Sequence, residues 1–163
     1  MPVTPFHFGP GALLHSAAPR RVSFLAFCVA NVLTDVEPLV FMLRGESPLH
    51  RFCHTFVGAT VVAAGTVALF LAARAAAPRL RLPNVLGWRD LAVAPVVVGA
   101  VLGTSSHVVL DALMHGDVRP FAPFSDANPL LRVVSLRALH LGCVAAGALG
   151  LAVLAARRAR RAL

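Results

Sequence analysis

The chain predicts an all-α, multi-pass membrane bundle of about four spanning helices plus a short N-terminal half-helix. Of its 163 residues, 58% are hydrophobic and only 13% charged, whereas a soluble domain is about half apolar and a quarter charged. Three runs, Thr55 to Ala73, Leu91 to Leu110 and Ala138 to Ala156, carry no Asp, Glu or Arg. Each is close to the ~20 apolar residues that a bilayer crossing needs. The basic residues, all Arg, gather beside the apolar runs.

The elements follow in order. Phe6 to Ala18 is apolar but stopped by Pro19. It is too short to cross alone, and it reads as a half-helix or re-entrant arm whose backbone must be buried in protein. Val22 to Leu43 is long enough to span, yet Asp35, Glu37 and Pro38 interrupt it. Proline lacks an N–H and clashes with the preceding turn, so Pro38 is expected to end or kink that helix. Arg20-Arg21 ahead of Val22 to Leu33 imitates a signal peptide, but Asp35 and Glu37 stand where a cleavage site needs small residues. The pair reads as a topological anchor. The second, third and fourth long helices are the three uncharged runs. Gly58, Gly65, Gly99 and Gly103 are spaced as small residues that let helices approach closely. Gly116 to Arg137 is the longest connection, rich in Pro and Asp, as a lid or substrate-facing loop would be. No internal repeat is present, so residues 1–163 read as a single integral-membrane helical domain.

Net charge is +8, but the Arg pattern is one of topology rather than of nucleic-acid binding. With the C-terminus cytoplasmic, Arg20, Arg21, Arg74, Arg79, Arg81, Arg89, Arg157, Arg158, Arg160 and Arg161 fall inside. Arg44, Arg51, Arg119, Arg132 and Arg137 fall outside, and the positive-inside bias favours this orientation. No nucleic-acid partner is expected; the bilayer is.

Within this apolar chain lie His7, the pair Asp35 and Glu37, the pair His50 and His54, and the run His107, Asp111 and His115. Residues four apart return to nearly the same helix face, so His50 with His54, and His107 with Asp111 and His115, are expected to point together. The orientation above brings all four groups to the outer half of the bundle, with His54 opening one helix there and His107 to His115 closing another. Ionisable groups at membrane depth are costly and call for a functional explanation. Imidazole and carboxylate together suit Zn, Mn, Fe or Ni better than Ca or Mg. The His50/His54 spacing matches that of zinc proteases, but Arg51 stands where their Glu base should be. Cys28, Cys53 and Cys143 form no CxxC and read as buried thiols. His15 and His140 read as helix-end or packing residues, with His140 at the right level to be an extra member. Glu46, Asp90, Asp117 and Asp126 read as solvated loop or cap residues, Asp126 within a turn signal.

Four segments come in a recognisable order: Thr4-Pro-Phe-His7, Asn31-Val-Leu-Thr-Asp-Val-Glu-Pro38, His50-Arg-Phe-Cys-His-Thr55 and His107-x-x-x-Asp111. Together they resemble the YdjM-like family of inner-membrane-associated, metal-dependent hydrolases. The resemblance implies that His7, Asp35, Glu37, His50, His54, His107 and Asp111 are metal-site residues. It runs from His7 to about Asp111. Thr34 stands where the family has Pro, Glu37 where it has a second Asp, Cys53 for a Thr and Thr55 for a Ser. A carboxylate is thus kept at longer reach, while the hydroxyl surroundings change. His115 is added by helical spacing alone.

The expected function is therefore metal-dependent hydrolysis in the cell inner membrane, a metal-activated water attacking a phosphoester or acyl bond of a small-molecule or lipid-linked substrate. The metal ligands expected are His54, His107 and Asp111, completed by His7, Asp35 and His50, around Zn with Mn or Fe as alternatives. Glu37 or His115 is expected to move the proton and Arg51 to steady a developing anion. Three other readings use the same cluster: a non-catalytic membrane protein, a haem protein and a proton-coupled transporter.

Overall fold

The computed structural model describes residues 4–162, and among them the regular structure is helical throughout. The helices are α1 (Thr4–Ala17), α2 (Phe24–Leu43), α3 (Phe56–Ala76), α4 (Val93–Met114) and α5 (Leu136–Ala162), with 3-10 turns at Phe52–His54 and Val85–Asp90. Four of these, α2 to α5, are long and apolar enough to cross a membrane. The protein is a membrane protein. Its outer face carries large apolar side chains that a soluble fold would bury, such as Val61, 56% exposed, and Leu151, 64% exposed.

The interior is correspondingly small-sided, with Ala30, Ala63 and Ala100 meeting where α2, α3 and α4 cross. Lipid tails are as apolar as Leu, so helices gain little by hiding large side chains from them. Close backbone approach is what holds the bundle. Helices α2 and α4 run side by side in a fixed register. A Cβ on Gly99 would overlap the Ser23 carbonyl oxygen, and one on Gly103 would lie 2.6 Å from that of Phe27. One turn further, Asn31 meets His107. The same four-residue ladder thus begins as glycine packing and ends as polar contact. Likewise α1 lies along α5, where a Cβ on Gly9 would fall within van der Waals overlap of the Cys143 carbonyl. That packing gives the short arm its protein surroundings.

Three expectations need correction. Pro38 does not end α2, which continues to Leu43; its ring is buried in the protein, a setting in which interior proline is tolerated. Gly65 has nothing within 4 Å of a Cβ, so it packs against no helix. Gly58 instead lies under the 52–54 turn, where a Cβ would meet the Phe52 carbonyl. Finally, His50 and His54 share no helix face. Arg51 has φ −119° and ψ −121°, and His54 ends a 3-10 turn ahead of α3, whose N-cap is Thr55. Thr55 accepts a hydrogen bond from Gly58 N through its hydroxyl, satisfying one of the free donors that begin the helix.

The loop after α4 is tied down. Asn128 Nδ2 donates to Ala112 O and His115 O, covering the end of α4. Phe56 N donates to Pro120 O, fastening the same loop to the start of α3. Polar segments therefore close over the end of the bundle where α2 and α4 finish and α3 and α5 start.

Candidate metal centre

At that end the ligand-type side chains converge. Asp35 comes from α2, His54 from the 3-10 turn, and His107 and Asp111 from successive turns of α4; these four offer ligand atoms within 4.8 Å of one another. His50, Asp111 and His115 make a second such group, sharing Asp111 with the first. Either group could hold a metal ion. His54, His107 and Asp111 are wholly buried, and His50 is 5% exposed.

The distances centre on Asp111. Its Oδ2 lies 3.2 Å from His54 Nε2, 3.3 Å from His107 Nε2 and 3.8 Å from His50 Nε2. Asp35 Oδ1 stands 3.1 Å from His107 Nε2 and 3.8 Å from His54 Nε2. His7 is 1% exposed and abuts both groups without belonging to either. Its Nε2 is 3.4 Å from Asp111 Oδ1 and its Nδ1 3.1 Å from His107 Nδ1.

What lies behind the imidazoles decides which nitrogen faces inward. Asn31 Nδ2 donates to Phe27 O and Gly103 O, so its Oδ1 must accept from His107 Nδ1–H at 2.9 Å. That leaves His107 Nε2 facing inward, where it meets Asp35 Oδ1 at 3.1 Å. Asp117 Oδ1 is 2.9 Å from His50 Nδ1, and its Oδ2 also accepts from Leu49 N and His50 N. Burial alone would raise the Asp117 carboxyl, but these hydrogen bonds outweigh it and hold the group below its ordinary range. An ionised carboxylate only accepts, so His50 Nδ1 carries the proton and Nε2 the lone pair. Behind His54, Glu37 Oε2 faces Nδ1 at 3.7 Å while accepting from Arg51 N and Cys53 N. Three histidines are thus backed by an oxygen and aim Nε2 at carboxylates, the pattern that orients metal-ligating imidazoles.

The inward-facing atoms have little else to do. His7 Nε2, His50 Nε2, His54 Nε2, His115 Nε2 and both Asp111 oxygens are buried without a hydrogen-bond partner. Buried polar atoms are nearly always paired, and a cluster of exceptions fits an ion. The donor set, imidazole with carboxylate, suits a divalent transition metal.

The remaining candidates take other places. Glu37 is engaged with the turn that presents His54. Arg51 donates from NH2 to Glu46 Oε2 at 3.0 Å and lies over the Phe41 ring. His115 ends α4 and stacks on His50 with ring centroids 4.5 Å apart; burial, the largest influence, holds it below the ordinary His range and keeps its ring neutral. His140 stacks on Phe6, and His15 Nδ1 meets Val22 O, both as packing residues. Asp126 pairs with Arg119 at the surface. Reading the residues alone missed two functional contributors. Asp117 reads as a solvated loop acid but supports His50, and Asn31 opens the segment 31–38 without being singled out as a site residue, yet its Oδ1 meets His107 Nδ1. Asp117→Asn and Asn31→Leu are each expected to weaken metal binding by ~10–100-fold, measured by chelator competition, because such partners fix tautomer and orientation.

A model of the family described as YdjM inner membrane protein matches residues 3–163, which extends past the motifs to the last helix. No curated protein and no solved structure matches the chain.

Proposed function

This chain belongs to the YdjM inner membrane protein family, and on that basis we propose that it is a metal-dependent hydrolase of the inner membrane. The single observation that carries the reading is the set of buried, unpartnered Nε2 and carboxylate atoms meeting at Asp111, with the histidines backed from outside. Asp35, His54, His107 and Asp111 would hold a divalent metal, with Zn the first choice and Mn or Fe as alternatives. Such an ion supplies Lewis-acid polarisation and lowers the pKa of a water near neutrality.

The chain's own residues do the rest. Asn31, Asp117 and Glu37 fix the imidazoles. His7 and His115 border the cluster with unpartnered Nε2 atoms and are the groups able to take a proton. A cavity of about 510 Å3 opens beside the site, lined among others by His50, Arg51, Phe52, Asp117 and Arg119. His50 belongs to both the cavity wall and the cluster, so a substrate seated there reaches the ligands from the polar end of the bundle. Arg51 and Arg119 in that wall are paired with Glu46 and Asp126, so an anionic group on the substrate would compete with those carboxylates, while the surrounding apolar helices suit a lipid tail. The C-terminal tail, with its four Arg, is assigned to the cytoplasm and the site to the opposite side.

Haem is disfavoured because Asp111 stands within 3.3 Å of both His54 and His107, where a porphyrin would have to lie. A transporter is disfavoured because the bundle below the cluster narrows to Ala30, Ala63 and Ala100. The test is hydrolysis by protein in lipid nanodiscs, assayed on phosphoester and acyl-ester amphiphiles. Turnover abolished by a chelator and restored by Zn or Mn is expected. No turnover on any substrate by metal-loaded protein would overturn the hydrolase reading.

A further inference from the structure

We infer that the site holds two divalent cations rather than one, the second on His50, Asp111 and His115, with the Asp111 carboxylate shared between them. This deepens the reading above and rests on its first cation position. The ligand atoms of the three residues lie within 4.8 Å of one another. His50 Nε2 and His115 Nε2 are both buried without a hydrogen-bond partner, although the two rings stack at 4.5 Å. With Nδ1 of His50 committed to Asp117, its inward lone pair has no donor to meet. Two imidazole nitrogens without a hydrogen-bond partner, gathered beside a carboxylate, are the arrangement a cation fits.

Asp111 is able to serve both positions. A carboxylate has two oxygens and about four lone-pair sites, and here both oxygens are buried and unpartnered. Among the described residues no other belongs to both groups. The assignment gives His115 to the second cation and leaves His7 as the imidazole that takes a proton. Such a pair would supply positive charge for both the attacking and the leaving oxygen of an in-line displacement, chemistry that suits a phosphoester. Because His50 lines the adjoining cavity, the second cation is the one nearer an entering phosphoester.

Metal-free protein in detergent micelles, titrated with Mn(II) and followed by equilibrium dialysis and EPR, tests the inference. Wild type is expected to bind two equivalents with an exchange-coupled spectrum. His115→Ala and His50→Ala are each expected to bind one, with an uncoupled spectrum. One equivalent in wild type, unchanged in His115→Ala, would overturn the second cation and leave the single-metal reading standing. No binding in folded wild type would overturn both.

Discussion

Asp111→Ala is expected to strip the protein of metal. Asp111 belongs to both ligand groups, is wholly buried, and lies within 3.3 Å of two imidazole Nε2 atoms. Losing it would remove the one carboxylate common to the two groups that could hold a metal. The loss in affinity should exceed the ~10–100-fold that removal of a partner behind a ligand costs. Elemental analysis of detergent-purified protein would read it, with Asp111→Asn as a variant of the same size. Helical content by circular dichroism should be unchanged, since α4 is held by its packing on α2 and α3 rather than by this side chain. Metal retained at the wild-type level in folded Asp111→Ala would contradict the placement of the site. Acidification should act in the same direction, because the imidazoles bind metal only when neutral.

Gly103→Leu is expected to damage fold and site together. A Cβ at Gly103 would stand 2.6 Å from Phe27 O and 3.1 Å from Phe27 Cα. Backbone cannot yield to that, so α2 must move away from α4. Overpacking of this kind costs ~1–3 kcal/mol or more. The functional consequence follows from register: Gly103 lies one turn before His107, whose contacts to Asn31 at 2.9 Å and Asp35 at 3.1 Å cross the same seam. The fraction that still folds should therefore bind metal weakly. Gly65→Leu is the control, since nothing lies within 4 Å of that position, and it should match wild type in thermal stability and metal content. Equal behaviour of the two variants would show that the seam does not position the site.

How much of this was legible in the residues depends on the range over which each signal acts. The spanning helices were readable because a bilayer imposes length and apolarity on every crossing segment; the four long helices begin and end within a few residues of the expected runs. His107 and Asp111 were readable as a pair because helical periodicity places i and i+4 together, and the structure keeps them on α4. The same rule applied to His50 and His54 gave the right neighbours for the wrong reason. Their rings lie 4.6 Å apart, but a 3-10 turn held by Glu37 brings them there.

Composition and spacing were enough to establish a helical membrane protein and to pick out ligand-type side chains near one end of the bundle. Composition and local periodicity act within one segment, and they carry that much. The folded chain was needed to see that these side chains divide into two groups meeting at Asp111, and that Asn31, Glu37 and Asp117 stand behind the imidazoles. Those relations join residues up to 76 positions apart in the chain, and they arise where glycine seams let backbones approach closely enough for such side chains to meet.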